Sequence, residues 1–262
     1  MKNKYCLILW FLLLSSTTFA QQQPTFTGSM FIDRTIFNTE TNQPEVSNFL
    51  RLDANQDLMR LTSDGDLTVS RIFSTMKTRS IYIRSKKQDL LLMAQPREAV
   101  QISQETLNQM TVAMQQFGGG GGGAMMMMGG RGAQAPDQVE IIPTDETEYV
   151  MGYLTKKIVV RRPARDEVTF VYVTDSLTVN WGVALQMPAA FNFTMSELFD
   201  PTWLKSGGFP LLAITFRGGK VRSRSEVIDI IPNDPEAVNI DIARNVSLIG
   251  LTDYFMNNMM RR

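Results

Sequence analysis

The sequence predicts a mainly β protein with some α structure, in which a curved antiparallel sheet or half-barrel is covered by a helix. Segments that alternate apolar and polar residues, separated by turn-forming residues, recur on both sides of residues 103–136. Between them, the segment from Ser103 to Phe117 carries apolar residues at helical spacing instead. We therefore expect two sets of strands joined through one helix.

The first twenty residues have the pattern of a secretory signal peptide. Lys2 and Lys4 precede an apolar run from Leu7 to Leu14, which is too short to span a bilayer, and the small residue Ala20 suits signal peptidase. Cys6 lies inside this segment, so it is not the acylated first residue of a mature lipoprotein. We expect cleavage after Ala20, a periplasmic or secreted product, and no transmembrane segment after cleavage.

Composition limits the chemistry that the remaining chain, 21–262, can perform. We expect one β-rich domain there, and without Lys2 and Lys4 its 24 basic groups face 26 acidic ones, which implies no nucleic-acid partner. The chain has no histidine and its one cysteine lies in the signal, which excludes Ser-His-Asp and Cys-His pairs and ordinary zinc sites. Its carboxylates are scattered through turns, so we predict no catalytic pair, no cofactor and no enzymatic activity.

The first set of strands reads as an antiparallel meander that begins at Phe26. Its predicted strands are Asn48–Asp53, Leu58–Thr62, Thr68–Phe73 and Arg79–Arg84, with Leu90–Met93 as a candidate addition. We expect a turn at Ser63-Asp64-Gly65-Asp66, because these residues favour turns. Five arginines recur along the meander and are expected on a solvated outer face, although one of them could face a ligand instead: Arg51, Arg60, Arg71, Arg79 and Arg84.

The central segment is predicted to be a helix followed by a flexible loop. Ser103 suits the N-cap, and the helix carries one apolar stripe formed by Leu107, Met110, Met114 and Phe117. Six consecutive glycines then end the helix, because glycine loses the most backbone entropy on ordering. We expect residues 118–136 to form a flexible Gly/Met-rich loop.

The second set of strands follows this loop. The predicted strands are Val139–Ile142, Tyr149–Val160, Val168–Val173 and Leu177–Val183, and a Phe-rich connection extends from Pro188 to Pro201. Within Leu211–Ile231, the dipeptide Gly218-Gly219 between alternating segments predicts a β-hairpin. The tail, Leu248–Arg262, is expected to contain a short helix.

The loop methionines Met125, Met126, Met127 and Met128 have three interpretations. They belong to a loop without function, to a pliable lid over an apolar ligand, or to a site for Cu(I). The flexible, polarizable side chain of methionine suits a lid, and its thioether selects Cu(I). Consecutive residues, however, point in different directions along an extended chain, so we assign no metal site. The helical stripe likewise suits either burial against the sheet or a lid.

The segment Tyr149-Val150-Met151-Gly152-Tyr153-Leu154-Thr155-Lys156 carries a resemblance to a known family. In a chain with an export signal, a meander, a helix and a glycine-rich insertion, it resembles an uncharacterised family of bacterial secreted proteins. That family is similar to the LolA/LolB lipoprotein carriers, whose curved antiparallel sheet is closed by helices over an apolar cavity. The resemblance extends from about Phe26 to Leu251 and implies a LolA/LolB-like half-barrel.

Two classes of function follow. In the first, the protein is an exported envelope binding protein that shields a lipid-like or apolar ligand. One wall of its site would consist of Leu107, Met110, Met114, Phe117, Met125, Met126, Met127 and Met128, and the sheet would form the other. In the second, it is an envelope protein–protein interaction or structural module without a small ligand. A large apolar cavity favours the first class, whereas a filled core with an exposed apolar patch favours the second.

Overall fold

The computed structural model describes residues 25–69, 77–95, 97–109, 112, 139–186, 193–194, 198, 204, 208–242 and 245–260. The strands are β1 (Gly28–Phe37), β2 (Pro44–Ala54), β3 (Leu58–Val69), β4 (Lys77–Arg84), β5 (Asp89–Gln95), β6 (Glu98–Ser103), β7 (Glu140–Val150), β8 (Tyr153–Arg162), β9 (Glu167–Thr174), β10 (Phe193–Thr194), β11 (Phe209–Arg217), β12 (Lys220–Pro232) and β13 (Ser247–Gly250). The helices are α1 (residues 104–109), α2 (Pro235–Val238) and α3 (Leu251–Met260), and 3-10 turns span Pro163–Arg165 and Gly182–Gln186.

These strands form one large, open, curved sheet, so the protein is mainly β with a few helices. The strand order is β13-β6-β5-β4-β3-β2-β1-β12-β11-β9-β8-β7, with the short β10 paired to β3. Neighbours are antiparallel except β13 and β6, which run parallel. The two sets of strands meet mainly where β1 pairs with β12, and the short strands β10 and β13 of the second set also pair with β3 and β6 of the first. Within the described residues, β13 and β7 are the two edges of the sheet.

One face of the sheet, here called the core face, carries the main hydrophobic core. Alternate residues of neighbouring strands, such as Met30, Leu52 and Leu61, are buried there, as the period of two in a strand requires. The segment between β9 and β11 lies over this face. Its buried side chains include Leu177, Val179, Trp181, Ala184, Leu198 and Leu204. The Trp181 ring stacks on that of Phe209 with centroids 6.0 Å apart.

Two of the predicted strand assignments in the meander are wrong. Leu58–Thr62 and the start of Thr68–Phe73 belong to one strand, β3, rather than to two strands joined by a turn. The chain bulges instead of reversing, since the pairing of β3 with β4 shifts between Thr62 and Leu67. Asp64 stabilises the bulge, because its carboxylate accepts a hydrogen bond of 2.9 Å from the backbone N–H of Phe49.

Two assignments in the second set are also wrong. The segment Tyr149–Val160 reverses at Met151 and Gly152, whose φ values are 53° and 79°, so it contributes to a hairpin rather than to one strand. Leu177–Val183 is not a strand, although its alternation is real: Leu177, Val179 and Trp181 are buried. Burial without a neighbouring strand therefore produced a strand-like pattern there.

Other predictions are confirmed. Gly218 and Gly219 adopt positive φ and join β11 to β12 as a hairpin. The tail contains the helix α3, but β13 directly before it was not predicted from the sequence. Helix α2 was not predicted either; Asp234 at its N-cap accepts a hydrogen bond of 3.0 Å from the Glu236 N–H, and Pro235 occupies its first turn.

Candidate functional site

The predicted ligand-binding helix is described only in its first part. Ser103 caps it as predicted, because its hydroxyl accepts a hydrogen bond of 3.1 Å from the Thr106 N–H. Leu107 is only 2% exposed and belongs to the main hydrophobic core. The other predicted wall residues, Met110, Met114, Phe117, Met125, Met126, Met127 and Met128, lie outside the described residues. Leu107 therefore packs in the core, as the burial interpretation of the stripe requires.

The opposite face of the sheet, here called the outer face, carries a row of register partners across six strands that are polar except for Leu91. Successive register partners in this row are Ser29, Asp53, Arg60, Tyr82, Leu91 and Gln101. Asp53 is fully buried at its centre and accepts hydrogen bonds from the Ser29 hydroxyl at 2.6 Å and from Arg51 Nε at 2.7 Å. Its second oxygen accepts two from the Arg60 guanidinium, at 2.9 and 2.7 Å.

Helix α2 completes this cluster from above the sheet. Arg51 also pairs with Asp234 at 3.0 Å and Glu236 at 2.7 Å, and its guanidinium lies 5.3 Å from the centre of the Phe31 ring. Burial alone lowers the pKa of Arg51, but the hydrogen bond with Asp53 and the three nearby carboxylates together raise it. Arg51 thus stays charged and links two strands to α2.

The carboxyl group of Asp234 has a lowered pKa. The main cause is its hydrogen bond with the Ser29 hydroxyl, followed by that with the Glu236 backbone N–H; partial burial opposes the shift, and the charge of Arg51 adds to it. The Ser29 hydroxyl has one proton, so it donates to Asp53 or to Asp234 at one time. The charged form of Asp234 is therefore stabilised by the fold.

A second buried pair lies further along the outer face. The Arg84 guanidinium pairs with both oxygens of Asp89, and Gln101 Nε2 donates to the same carboxylate at 2.6 Å. Arg51, Arg60 and Arg84 are thus on the outer face as expected, but they are only partly solvated, with 26%, 24% and 12% of their side-chain surface exposed. Arg79 is exposed, and Arg71 lies outside the described residues. Because partners hold Arg51, Arg60 and Arg84, we assign these three to the fold rather than to a ligand.

Near the turn of the hairpin formed by β7 and β8, three large apolar residues are exposed, whereas Val150, Ile158 and Val160 of the same hairpin are buried. Tyr149 and Leu154 are register partners, and they are 71% and 51% exposed. Met151, in the turn between them, is 43% exposed. It adopts a left-handed conformation that Asn or Gly takes more readily. These three residues form what we call the hairpin tip.

Strand β7 beside the tip is acidic. Its sequence contains Glu140, Asp145, Glu146 and Glu148 and no basic residue. Lys157 pairs with Glu146 at 2.8 Å and also lies 4.4 Å from the centre of the Phe170 ring. No ion pair of Asp145 or Glu148 is found within the described part of the chain. Asp145, Glu146 and Glu148 lie close to the tip in sequence, whereas Glu140 lies at the other end of β7.

The sequence predicted one strand from Tyr149 to Val160 and a family resemblance at Tyr149–Lys156, but it did not predict the hairpin tip. The available signal was Gly152 after Met151 between two β-rich segments, which is a weak turn signal since methionine is unusual there. Among the described residues, no cluster of three or more Cys, Asp or Glu side chains is arranged to hold a metal ion. No helix in the same residues is long and apolar enough to cross a membrane.

Comparisons with known proteins assign no family. No protein-family model matches the sequence, and no match is found among curated proteins. Among solved structures, PNGF-II is similar over 91% of this chain and 34% of its own, with a TM-score of 0.44 and 15% identity. This chain thus spans about a third of the length of PNGF-II.

Two further solved structures are similar at lower scores. An uncharacterized conserved protein from Thermus thermophilus matches 86% of this chain and 91% of its own, with a TM-score of 0.38 and 11% identity. MucB, solved in complex with MucA(peri), matches 84% of this chain and 57% of its own, with a TM-score of 0.33 and 7% identity. Similarities this weak assign no activity.

Proposed function

We propose that the protein is an exported, non-enzymatic interaction module whose hairpin tip binds another polypeptide. The observation that carries this proposal is the exposure of Tyr149, Met151 and Leu154 together at one end of the sheet. Tyr149 and Leu154 contact each other as a cross-strand pair, yet both side chains also stay largely accessible to solvent. Exposed apolar groups that lie close together are typical of interaction sites.

The backbone of the turn supports the same proposal. A left-handed conformation at a residue other than glycine costs about 1–2 kcal/mol. Met151 adopts that conformation and yet makes its side chain accessible rather than buried. Strain of this kind is often retained where a side chain contacts a partner.

The sequence predicts export, a LolA/LolB-like half-barrel and a carrier function, and we keep all three as proposals. Seven of the eight predicted wall residues are outside the described chain, and the eighth, Leu107, is in the core. A saturable titration of delipidated protein with an apolar dye, lost in Met110→Asp/Met114→Asp, would support the carrier. The interaction module has the stronger support, because its residues are described and accessible.

Selection from a displayed library of random peptides tests the proposed function. The full chain is the bait, and the affinity of each enriched peptide is then measured for three proteins. These are the wild type, Tyr149→Ser/Leu154→Ser, and the matched control Val46→Ser/Phe49→Ser, which removes two apolar residues exposed elsewhere on the sheet.

We expect peptides that bind the wild type and the control equally and bind the tip variant at least tenfold more weakly. Circular dichroism confirms that all three proteins are folded. The proposal fails if no peptide is enriched, or if the enriched peptides bind all three proteins alike.

A further inference from the structure

We infer that the partner of the hairpin tip is an extended segment of alternating basic and apolar residues, which joins the sheet as a strand beside β7. This inference rests on the proposed function and adds the binding mode and the chemistry of the partner. Within the described residues, β7 pairs with β8 on one side only. In an antiparallel ladder, alternate residues of an edge strand direct their N–H and C=O groups outward, so β7 can accept another strand.

The part of β7 nearest the tip is the part suited to this addition. Natural proteins protect edge strands with proline, bulges and charged residues. Pro143 lacks a backbone N–H, and the register with β8 is interrupted between Pro143 and Thr147. From Thr147 to Val150, by contrast, β7 is in regular register with residues 156 to 153 of β8 and contains no proline. We therefore place the added strand against Thr147–Val150.

The two faces of this segment differ in chemistry. Tyr149 projects to one face beside its register partner Leu154, and Glu148 projects to the other face opposite Thr155. Thr155 is buried and donates a hydrogen bond of 2.7 Å to the Glu148 carbonyl, which fixes this register. An added strand would thus place apolar side chains beside Tyr149 and the residues between them beside Glu148. The alternation of the partner follows from the alternation of β7.

Charge determines what those intervening residues are. Within the described part of the chain, Glu148 and Asp145 make no ion pair and β7 carries no basic residue; Lys157 of β8 attracts Glu148 but pairs directly with Glu146. Opposite charges across a strand pair stabilise it, and like charges destabilise it. A second copy of this chain, paired antiparallel about Glu148, would bring two glutamates opposite each other. The complementary occupant is therefore a basic segment rather than another β7.

Fluorescence anisotropy with synthetic peptides tests the inference. The probe is a labelled peptide of about seven residues, long enough to cover Thr147–Val150, that alternates lysine with valine. A second peptide has glutamate in place of lysine, and a third has the lysine–valine sequence with alternate backbone nitrogens methylated. The proteins are the full chain, Glu148→Lys, and the matched control Glu40→Lys, which reverses an exposed charge in the turn before β2.

We expect the lysine–valine peptide to bind the wild type and Glu40→Lys, and to bind Glu148→Lys about three- to tenfold more weakly. The glutamate–valine peptide should show the opposite preference between wild type and Glu148→Lys. Backbone methylation should weaken binding by at least tenfold, because it removes the main-chain donors of the added strand.

The outcomes separate this inference from the proposed function. If library peptides depend on the tip but the lysine–valine peptide does not bind, or binds regardless of methylation and of Glu148→Lys, strand addition is wrong and the interaction module stands. If neither library peptides nor the lysine–valine peptide bind, both are wrong. Vesicles of anionic lipid that bind the wild type in a tip-dependent way, without peptide binding, would replace the polypeptide partner with a membrane surface.

Discussion

The cluster around Asp53 and the hairpin tip belong to the same sheet but differ in which kind of side chain is exposed to water. Around Asp53, charged groups are withdrawn from water, and two arginines and a serine contact the buried carboxylate. At the tip, large apolar groups remain in water beside carboxylates. The difference comes from what covers each place, since α2 lies over the strands near Arg51, whereas Tyr149 is largely accessible. From residue type alone, one would expect the charged cluster at the surface and the apolar residues of the tip in the core.

The largest expected effect is at the centre of the buried cluster. Asp53→Ala removes the shared partner of Arg51 and Arg60, and breaking a buried ion pair from one side costs about 3–5 kcal/mol of unfolding free energy. Urea denaturation of the wild type and the variant measures this loss of unfolding free energy. The control is Asp57→Ala, which removes an exposed partner of Lys86 and should cost less than about 1 kcal/mol. Equal losses in the two variants would show that the cluster is not a stabilising one.

A smaller, pH-dependent effect is expected at Asp234. Its pKa is lowered in the folded protein, so its carboxylate contributes stability above the unfolded pKa of about 3.9. That contribution is lost as the pH falls through the lower folded pKa. Wild type should therefore exceed Asp234→Asn in stability near neutral pH, and the two should converge in strong acid. A constant difference across urea titrations at each pH would contradict the assignment.

At the turn of the hairpin we expect a stabilising substitution. Met151→Asn places a residue that tolerates the left-handed conformation before Gly152, and should raise the unfolding free energy by about 1 kcal/mol. Gly152→Ala should lower it by a similar amount through backbone strain. A Cβ at Gly152 has no atom within 4 Å, so a clash would not explain the loss. Thermal denaturation of both variants decides it, and a loss in Met151→Asn would mean that the methionine is not strained.

The smallest effect on stability is expected for Tyr149→Ser/Leu154→Ser. Exposed substitutions away from buried contacts usually change stability by no more than about 0.5 kcal/mol. Its midpoint in urea should therefore match that of the wild type, even though its binding to selected peptides is lost. A loss of several kcal/mol would place these side chains in the core and remove the contrast with Asp53.

Local patterns predicted much of the strand content, because the two-residue period of a strand is visible in the sequence itself. In the predicted strand Arg79–Arg84, Ile81 and Ile83 are buried, whereas Tyr82 and Arg84 are only partly buried. The pattern wrongly predicted a strand at Leu177 to Val183, where alternate residues are buried but the chain does not form a strand. It also missed the turn at Met151, because methionine is unusual in such a turn. A local pattern cannot predict the partners of Arg51, since Asp234 lies 183 positions away in the sequence. Long-range pairing, not composition, decides which charges are structural.

The pairing of β1 with β12 also determines the order in which the chain can fold. Gly28 lies opposite Pro232, so β1, the first strand along the described chain, pairs with β12, which comes much later in the sequence. Contacts between residues so distant in sequence slow folding, because a long loop must close before they form. During synthesis, β1 and β2 can pair early, while the other edge of β1 stays open until β12 has emerged. The pairing of β1 with β12 therefore cannot form before the chain has been synthesised through Pro232.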